Sequence, residues 1–316
     1  MPLIDVHAHF LPPQYREALE TAEIDQPDGF PLVPMWSADD HVAVMDRLGI
    51  DAAVLSVSSP GVQFGDGAKA SDAVSLAQCV NDAAASAIAD HPGRFGAFAS
   101  LPMADTDASL AEIERSLDGL GLDGVNVLTN VGGVYLGDAS LEPTMAELHR
   151  RRALVFIHPT SPACWECTSL GYPRPMIEFP FDTTRAVTNM LLSGVFTRYP
   201  DIRWIVPHAG GTLPFLAPRI AGISVLLGAD DPAAVAAQLG RLYYDLAGSA
   251  SAAVVSSLLT LVDRRQVLYG SDWPFTPEPI VATALGWITV DDNMVSPVEL
   301  SANAAALFPR LAPARS

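Results

Sequence analysis

Residues 3–10 read Leu3-Ile4-Asp5-Val6-His7-Ala8-His9-Phe10, a stretch in which apolar and polar side chains alternate. This alternation predicts a β-strand, because side chains two positions apart lie on the same face of a strand. His7 and His9 are then held roughly 7 Å apart along the strand and can turn towards one metal ion. A His-x-His pair is a weak signal by itself, so its meaning depends on the segments that follow.

Three later apolar runs also end on a side chain that can bind a metal. They are Val155-Phe156-Ile157-His158, Trp204-Ile205-Val206-Pro207-His208 and Val267-Leu268-Tyr269-Gly270-Ser271-Asp272. Short apolar runs alternate along the chain with Ala- and Leu-rich helical patterns, which is typical of repeated βα units. Eight such units predict a (β/α)8 TIM barrel, in which catalytic groups sit at the carboxyl ends of the strands. The potential ligands fall at these ends in the first, fifth, sixth and eighth predicted strands.

The predicted barrel takes up the whole chain, residues 1–316, as one domain. The predicted strands are 3–7, 52–58, 95–101, 124–129, 153–158, 203–208, 241–246 and 266–271. The predicted helices are 39–48, 71–90, 107–120, 140–151, 183–198, 214–227, 251–262 and 296–307. Helix caps are expected at Ser37 or Asp39, Ser71, Asp107, Thr183 and Ser296-Pro297.

Three long connections are predicted on the catalytic face, at residues 10–38, 159–182 and 273–295. All three contain aromatic residues, and long loops on this face of a barrel commonly form the substrate pocket. We therefore expect Phe10, Trp165 and Phe275 to contact the substrate.

Composition excludes several classes of protein. The net charge of −18, without a basic stripe, argues against nucleic acid as a partner. No apolar run reaches the roughly 20 residues of a membrane span, and no basic segment precedes the first strand, so we expect neither a membrane protein nor a signal peptide. Cys79, Cys164 and Cys167 are the only cysteines, which favours a cytoplasmic protein. The Cys164-x-x-Cys167 pair could be a structural zinc site or a redox pair, but we expect two incidental thiols.

Lys69 is the only lysine among 18 basic residues and lies in a glycine-containing segment expected to be a surface loop. A barrel without other lysines cannot use Schiff-base chemistry, and it lacks the carboxylated lysine that bridges two metals in binuclear hydrolases. We therefore expect one metal ion, bound by His7, His9, His158 and Asp272. Three imidazole nitrogens and one carboxylate suit Zn²⁺, with Mn²⁺ as the alternative.

Other polar residues have more than one possible role. His208 precedes two glycines that permit close backbone approach, and it could be a fifth ligand, but we expect an acid–base group beside Asp272. Asp5 and Asp245 could each orient a ligating imidazole or be ordinary buried polar contacts. Structural roles are expected for the remaining candidates, namely Glu178 and Asp182 with Arg185 as their ion-pair partner, His41, His91 and His149.

Several of these segments together resemble the amidohydrolase superfamily, in order and over nearly the whole chain. They are Ile4-Asp5-Val6-His7-Ala8-His9-Phe10, His158-Pro159, Phe181-Asp182-Thr183-Thr184-Arg185-Ala186, His208-Ala209-Gly210-Gly211 and Gly270-Ser271-Asp272-Trp273-Pro274-Phe275. The chain is most similar to the branch of aminocarboxymuconate-semialdehyde decarboxylase and the ortho-hydroxybenzoate decarboxylases, such as γ-resorcylate and 6-methylsalicylate decarboxylase. The motifs are specific for this branch but not for one substrate.

The resemblance implies one metal held by His7, His9, His158 and Asp272, and a catalytic histidine at His208. It also implies a homodimer in which Arg219, eleven residues beyond His208, reaches the neighbouring site to hold a carboxylate. A surface arginine paired with a nearby acid is the alternative. The chain departs from the branch in two ways. Residues 10–38 offer only Arg16 for a second substrate arginine, too near the strand to align, and His7 stands where some members have Glu, which favours zinc over manganese.

The expected function is therefore a metal-dependent, non-oxidative decarboxylase. It would release CO₂ from a small aromatic or unsaturated hydroxy-carboxylic acid resembling 6-methylsalicylate, after Asp272 or His208 protonates the ring carbon. The alternative is a hydrolase of a lactone or amide at the same site, in which His208 polarises the carbonyl and Asp272 accepts the proton. A catalytically inactive binding barrel is a third hypothesis. The two enzymes differ in product, because only the hydrolase creates a new titratable acid.

Overall fold

The computed structural model of the chain describes residues 2–64, 70–228, 231–290 and 295–312. Lys69 lies outside these ranges, and so do residues 291–294 of the connection predicted at 273–295. Within them, the strands are β1 (Ile4–His9), β2 (Ala52–Ser56), β3 (Phe95–Ser100), β4 (Gly124–Leu128), β5 (Asn130–Val131), β6 (Val134–Tyr135), β7 (Leu154–His158), β8 (Arg203–Val206), β9 (Tyr243–Asp245) and β10 (Val267–Leu268).

The helices surround these strands on the outside. They are α1 (Pro13–Thr21), α2 (Ala38–Leu48), α3 (Ala70–Asp90), α4 (Thr106–Glu114), α5 (Glu142–Arg150), α6 (Trp165–Thr168), α7 (Glu178–Leu192), α8 (Val195–Arg198), α9 (Leu213–Ser224), α10 (Pro232–Leu239), α11 (Ala252–Leu258), α12 (Glu278–Val290) and α13 (Pro297–Leu307). No helix in the described ranges is both long enough and apolar enough to cross a bilayer.

Eight strands form one parallel sheet, in the order β1-β2-β3-β4-β7-β8-β9-β10. The first strand meets the last, because Asp5 bridges Tyr269 and the amide of Val6 donates to the carbonyl of Tyr269 at 2.9 Å. The predicted (β/α)8 barrel is confirmed, and each predicted strand overlaps one of its eight strands. The short antiparallel hairpin β5–β6 was not predicted.

Two apolar clusters make up the core. One fills the barrel with side chains from several strands, including Ile4, Val6, Phe98 and Phe156, and is completed by Phe308 after α13. The other lies between the strands and the surrounding helices. Because both faces of the strands are buried, their sequences are nearly continuous apolar runs, which is why the sequence locates them well.

Strand β1 departs from simple alternation. It carries a β-bulge between Asp5 and Ala8. Val6 packs inside the barrel, whereas Ala8 belongs to the outer cluster. Strict alternation would put Ala8 inside with Val6 and turn both His7 and His9 outwards. The extra residue shifts the phase by one, so the bulge lets both His7 and His9 face the barrel interior.

Helix boundaries and caps follow the sequence only in part. Ser37 caps α2, and Ser296 forms a capping box with Glu299 at the start of α13, both as expected. The other three predicted caps are wrong. Asp105 rather than Asp107 caps α4, and Ser71 and Thr183 lie inside α3 and α7. The predicted helix 183–198 starts earlier and breaks into α7 and α8 at Gly194, whose φ of 80° leaves the helical region.

The connections predicted to be long loops contain helices α1, α6 and α12 and the first turn of α7. Helix α12 was missed because its residues are apolar almost all round, so the polar stripe that marks a surface helix is absent. Helix α1 is short and buries only Tyr15 and Leu19, which is too weak a pattern to predict.

Candidate metal centre and adjoining cavity

Three imidazoles converge at the carboxyl ends of β1 and β7. The Nε2 atom of His9 lies 3.1 Å from Nε2 of His7 and 3.2 Å from Nε2 of His158. All three residues are at least 98% buried. Ligand atoms bound about 2.0–2.1 Å from one ion lie about 3.0–3.4 Å from each other. The separations are therefore those of nitrogens arranged around a single ion.

The opposite ring nitrogens show which tautomer each histidine adopts. Nδ1 of His7 lies 3.0 Å from a carboxylate oxygen of Asp245, Nδ1 of His9 lies 3.1 Å from the carbonyl of Ser56, and Nδ1 of His158 lies 2.7 Å from the carbonyl of Pro159. Those oxygens can only accept, so each Nδ1 carries the proton and donates it. Each Nε2 is then a bare lone pair. Three lone pairs pointing at one another repel unless a cation lies between them.

Burial favours the neutral form of two of these rings, and a carboxylate opposes it at the third. Burial lowers the pKa of His9, and it lowers the pKa of His158 well below the ordinary value. For His7, burial also opposes the charged form, but the charge of Asp245 and its hydrogen bond outweigh it and raise the pKa. Neutral imidazoles are the form that binds metals.

Asp272 supplies the carboxylate. Its Oδ1 atom lies 3.1 Å from Nε2 of His9 and 3.6 Å from Nε2 of His7, whereas its Oδ2 atom lies 3.8 Å from Nε2 of His208. Burial opposes ionisation of Asp272, but the adjacent imidazoles of His208 and His9 outweigh it and hold the pKa well below its usual range. Its backbone has a φ of 61°, an uncommon conformation for a non-glycine residue and one that clusters at functional sites. One oxygen thus faces the histidines and the other faces His208.

Three nitrogens and one carboxylate oxygen converging in a buried site fit one divalent metal ion. Among the described residues, two overlapping groups of potential ligands lie close enough together to share an ion, His7 with His9 and His158, and His7 with His208 and Asp272. In the second group the ligand atoms lie within 4.8 Å of one another. His208 therefore lies beside the centre, close enough to Asp272 to serve as a fifth ligand or as an acid–base group.

Asp245, at the end of β9, contacts both His7 and His208. One carboxylate oxygen accepts from His7, and the other accepts from the backbone amides of His208 and Ala247 at 3.0 Å each. The charge and hydrogen bond of His7 overcome the effect of burial and lower the pKa of Asp245. These contacts show that Asp245 orients a ligating imidazole and is not an ordinary buried polar contact.

Asp5, in contrast to Asp245, is an ordinary buried polar contact. Its Oδ1 atom accepts from the backbone amides of His7 at 3.1 Å and Ser271 at 3.0 Å, and it touches no imidazole nitrogen. Burial raises the pKa of Asp5 to about 7. Asp5 is thus a buried polar contact that joins the first and last strands beneath the centre. Gly270 is needed at the same seam, because a Cβ there would come within 2.8 Å of the Cβ of His7.

The structural charges near α7 are only partly as expected. Asp182 is fully buried and pairs with Arg185 at 2.8 Å. It also accepts from Thr129, Asn130 and Tyr135. Glu178 instead accepts from Thr168 at 3.2 Å and makes no ion pair with Arg185 among the described residues, so that part of the prediction is wrong.

A cavity of about 580 Å³ opens on the same face of the barrel. It is lined by the ends of β3 and β4 and by residues after β2 and β7, including Thr160, two residues beyond His158. Trp165 lines it. Arg174 is the one basic side chain in this lining among the described residues, and its guanidinium stacks on the Trp165 ring 4.0 Å from the centroid.

Arg174 was missed by the sequence analysis. Its Nε atom donates to Ser161 at 2.6 Å, and Ser161 in turn donates to the buried carboxylate of Asp28. A single arginine between two prolines carries no periodic signal, and its partners lie 13 and 146 positions away along the chain (174 − 161 and 174 − 28).

The other predicted substrate contacts lie elsewhere. Phe10 is 1% exposed, packs against Trp36 and does not line the cavity. Phe275 packs edge-on against the His9 ring, with centroids 5.5 Å apart. Arg219 lies on α9 in a separate apolar groove and makes no hydrogen bond or ion pair to any described residue. It therefore does not contribute to the cavity of its own subunit.

The residues given structural roles lie outside the centre. His41 is buried, accepts from the Trp36 indole at 3.1 Å, and has its pKa lowered by burial to about 3. His91 pairs with Asp39, and His149 accepts from the amide of Asp201. Cys79, Cys164 and Cys167 are free thiols, the last two exposed.

A (β/α)8 barrel whose strand ends converge on histidines and an aspartate has the architecture of a metal-dependent barrel enzyme. A family model described as amidohydrolase matches residues 4–310. The chain belongs to the amidohydrolase family, which confirms the resemblance inferred from the sequence motifs.

Individual relatives agree with this assignment. The 6-methylsalicylic acid decarboxylase of Penicillium expansum is 36% identical over 321 residues, covering 98% of this chain and 97% of that protein. The crystal structure of an amidohydrolase II protein superposes with a TM-score of 0.90 and 32% identity, covering 97% of this chain and 99% of that one. A dihydroxybenzoic acid decarboxylase from Polaromonas sp. JS666, with bound manganese and 2-nitroresorcinol, matches at TM-score 0.80 and 22% identity, covering 98% and 97% of the two chains. At that identity, the likeness concerns the fold alone.

Proposed function

We propose that this protein is a metal-dependent, non-oxidative decarboxylase of small aromatic hydroxy acids, working as one barrel domain. The observation that carries the proposal is the convergence of three Nδ1-anchored histidines and Asp272 beside a cavity that contains a tryptophan and an arginine. The full-length similarity to a 6-methylsalicylic acid decarboxylase supports the reaction type. An ortho-hydroxybenzoate resembling 6-methylsalicylate is the proposed substrate.

His7, His9, His158 and Asp272 would hold the ion. When bound, a divalent ion supplies Lewis acidity to the substrate carboxylate and the adjacent hydroxyl. We propose Zn²⁺ because the donor set is three imidazoles and one carboxylate, with Mn²⁺ as the alternative. The residues around the centre fix the donor atoms in advance, since every Nδ1 proton already has an acceptor.

His208 and Asp272 handle the proton. His208 is held by its backbone through Asp245, and its Nε2 atom faces the outer oxygen of Asp272. A proton carried by this pair is delivered to the ring carbon that bears the carboxylate, which becomes tetrahedral. The carbon–carbon bond then breaks, its electron pair returns to the ring, and CO₂ leaves. One proton is taken up and one CO₂ is released for each turnover.

The cavity wall binds the rest of the substrate. Trp165 offers an aromatic face, and the stacked guanidinium of Arg174 offers positive charge in a protein whose net charge is −18. An anionic substrate needs such a local cation because the overall field repels it. Arg174 thereby supplies, within the subunit, a second substrate arginine, for which the connection after β1 offers only Arg16.

We also propose a homodimer. Helix α9 and the short turn after it expose several large apolar side chains, among them Phe215 and Leu226, each more than 80% exposed. Arg219 lies in the groove of about 400 Å³ between α7 and α9, without a partner among the described residues. A second copy packed on this face would cover the apolar side chains and give Arg219 a route to the neighbouring cavity. The three free cysteines support a reducing compartment such as the cytoplasm.

The function is tested by incubating the metal-loaded protein with a panel of hydroxybenzoic acids and measuring phenol products by chromatography and CO₂ directly. We expect stoichiometric phenol and CO₂ from at least one ortho-hydroxybenzoate. His158→Ala should lose both metal and activity. His208→Ala should keep its metal and lose on the order of 10²-fold or more in rate. Formation of a new titratable acid without CO₂ would establish the hydrolase instead.

A further inference from the structure

Asn126 is a buried polar residue that none of the roles above uses. It lies on β4, paired in register with Ser100 on β3 and Phe156 on β7. It is 6% exposed, and it lines the large cavity. Phe156 packs against the His7 ring, with centroids 4.8 Å apart. Asn126 therefore stands in the cavity wall at the level of the metal centre.

The Asn126 amide has a defined orientation. Its Nδ2 atom donates to the carbonyl of Val57 at 2.7 Å. The reverse orientation would place two acceptor oxygens against each other, so Nδ2 must face Val57. The neighbours of Val57 touch the proposed ligands, because the carbonyl of Ser56 accepts from His9 and the hydroxyl of Ser58 lies 3.5 Å from Nε2 of His158.

The Oδ1 atom of Asn126 is buried and has no hydrogen-bond partner. A buried acceptor without a donor is less stable than the same acceptor hydrogen-bonded to water. Asn130 provides the contrast, since it lines the same cavity and is fully paired. Its Nδ2 atom donates to Asp182 and Ser161, and its Oδ1 atom accepts from Gly133. An unpaired acceptor is thus a property of Asn126 rather than of asparagines in this cavity.

We propose that Asn126 is a specificity-determining residue that accepts a hydrogen bond from a second donor group on the substrate ring. This inference rests on the proposed function and narrows it. The ortho-hydroxyl and the carboxylate face the metal centre, so the donor to Asn126 is a further hydroxyl or amino group. An amide oxygen only accepts, and a methyl group of similar size at that ring position leaves it unpaired.

The test compares matched substrates. A series of 2-hydroxybenzoates carries either a hydroxyl or a methyl group at each other ring position, and kcat/KM is measured for each pair. At one position, the wild-type protein should prefer hydroxyl to methyl by about 10- to 100-fold, the effect of pairing one buried acceptor. Asn126→Leu, which has a similar volume and no acceptor, should bring that ratio close to one. Asn130→Leu is the control and should leave the ratio unchanged.

A binding arm separates this inference from the proposed reaction. Resorcinol, 3-methylphenol and their positional isomers lack a carboxylate, and their affinity for the metal-loaded protein is measured by calorimetry. A hydroxyl preference here that disappears in Asn126→Leu supports the inference even if no acid is decarboxylated. The inference is overturned if the wild-type protein shows no hydroxyl preference at any position in either arm, a result that needs no variant to fold. It is also overturned if a folded Asn126→Leu or Asn126→Ala variant keeps the preference.

Discussion

At the residue scale, Asp245 connects the two kinds of chemistry at the site. One of its oxygens fixes the tautomer of His7, and the other holds the backbone of His208. A carboxylate has two acceptor oxygens, whereas an asparagine has one, so Asp245→Asn cannot keep both contacts. Residues that orient a metal-binding histidine commonly contribute 10- to 100-fold to metal affinity, roughly, when they are removed.

We therefore expect Asp245→Asn to weaken metal binding by about 10- to 100-fold, measured by competition with a chelator. Asp182→Asn is the matched control. Asp182 is also a fully buried carboxylate in a hydrogen-bond network, but it contacts no imidazole. The Asp182→Asn substitution should lower the free energy of unfolding without changing metal affinity. Equal metal affinity in Asp245→Asn and the wild-type protein would exclude a role in orienting His7.

Residues at strand ends were predictable, and residues inside long connections were not. His158 and Asp272 could be placed because a (β/α)8 barrel brings all strand ends to one face, whatever their separation along the chain. Arg174 and Asp28 meet only through the folding of two irregular connections, for which no periodicity exists to read. Asn126 was hidden for another reason. An asparagine within an apolar run looks like an exception to the strand pattern. Only the unpaired Oδ1 atom, which the sequence does not show, points to a binding role for Asn126.

At the element scale, α13 closes the amino end of the barrel. Its capping box joins Ser296 and Glu299 in both directions, with the amide of Ser296 donating at 2.9 Å and the amide of Glu299 donating at 3.3 Å. Leu307, in its last turn, and Phe308 pack into the interior cluster with Ile4 and Val6. None of the hydrogen bonds of the cap involves a residue of the metal centre, so its loss should affect stability alone.

We expect Ser296→Ala to lower the free energy of unfolding by about 1 kcal/mol, measured by denaturant unfolding of the metal-loaded protein. Ser251→Ala is the control, because Ser251 caps α11 through a single longer contact of 3.4 Å to Val254. Ser251→Ala should lower the free energy of unfolding by less than Ser296→Ala does. A Ser296→Ala variant no less stable than Ser251→Ala, or one with reduced metal content, would show that the cap acts differently.

The element scale also shows where periodicity misleads. Alternation in residues 3–10 predicts that His7 and His9 face the same way, and they do converge. The alternation does not show that this face is the barrel interior, because a bulge shifts the phase of β1 between Asp5 and Ala8. A one-residue irregularity leaves no mark on an eight-residue pattern, since both registers place an apolar residue on each face. The same limit explains the missed hairpin β5–β6, whose strands have two residues each.

At the scale of the whole molecule, the proposed dimer makes a claim about Arg219 that a monomer cannot satisfy. Arg219→Ala and His208→Ala should each be nearly inactive alone. Mixed under subunit exchange, half of the dimers would be heterodimers with one intact site of two, so up to about a quarter of wild-type activity should return.

A mixture of His208→Ala and His158→Ala is the control for complementation. Both residues belong to the same subunit's site, so every site in that heterodimer stays defective and no activity should return. If exchange is demonstrated and the Arg219→Ala mixture also stays inactive, Arg219 does not serve a neighbouring site. The apolar face of α9 would then need another explanation.

The central claim is that the site breaks a carbon–carbon bond by adding a proton, and isotopes report this directly. The metal-loaded protein is incubated with a carboxyl-¹³C-labelled ortho-hydroxybenzoate that it consumes, in D₂O enriched in ¹⁸O, and the products are analysed by mass spectrometry. We predict release of the ¹³C label as CO₂ and a phenol that carries one deuterium at the former carboxyl carbon and no ¹⁸O. Retention of ¹³C in an organic acid that has gained ¹⁸O would contradict the account and assign the site to hydrolysis.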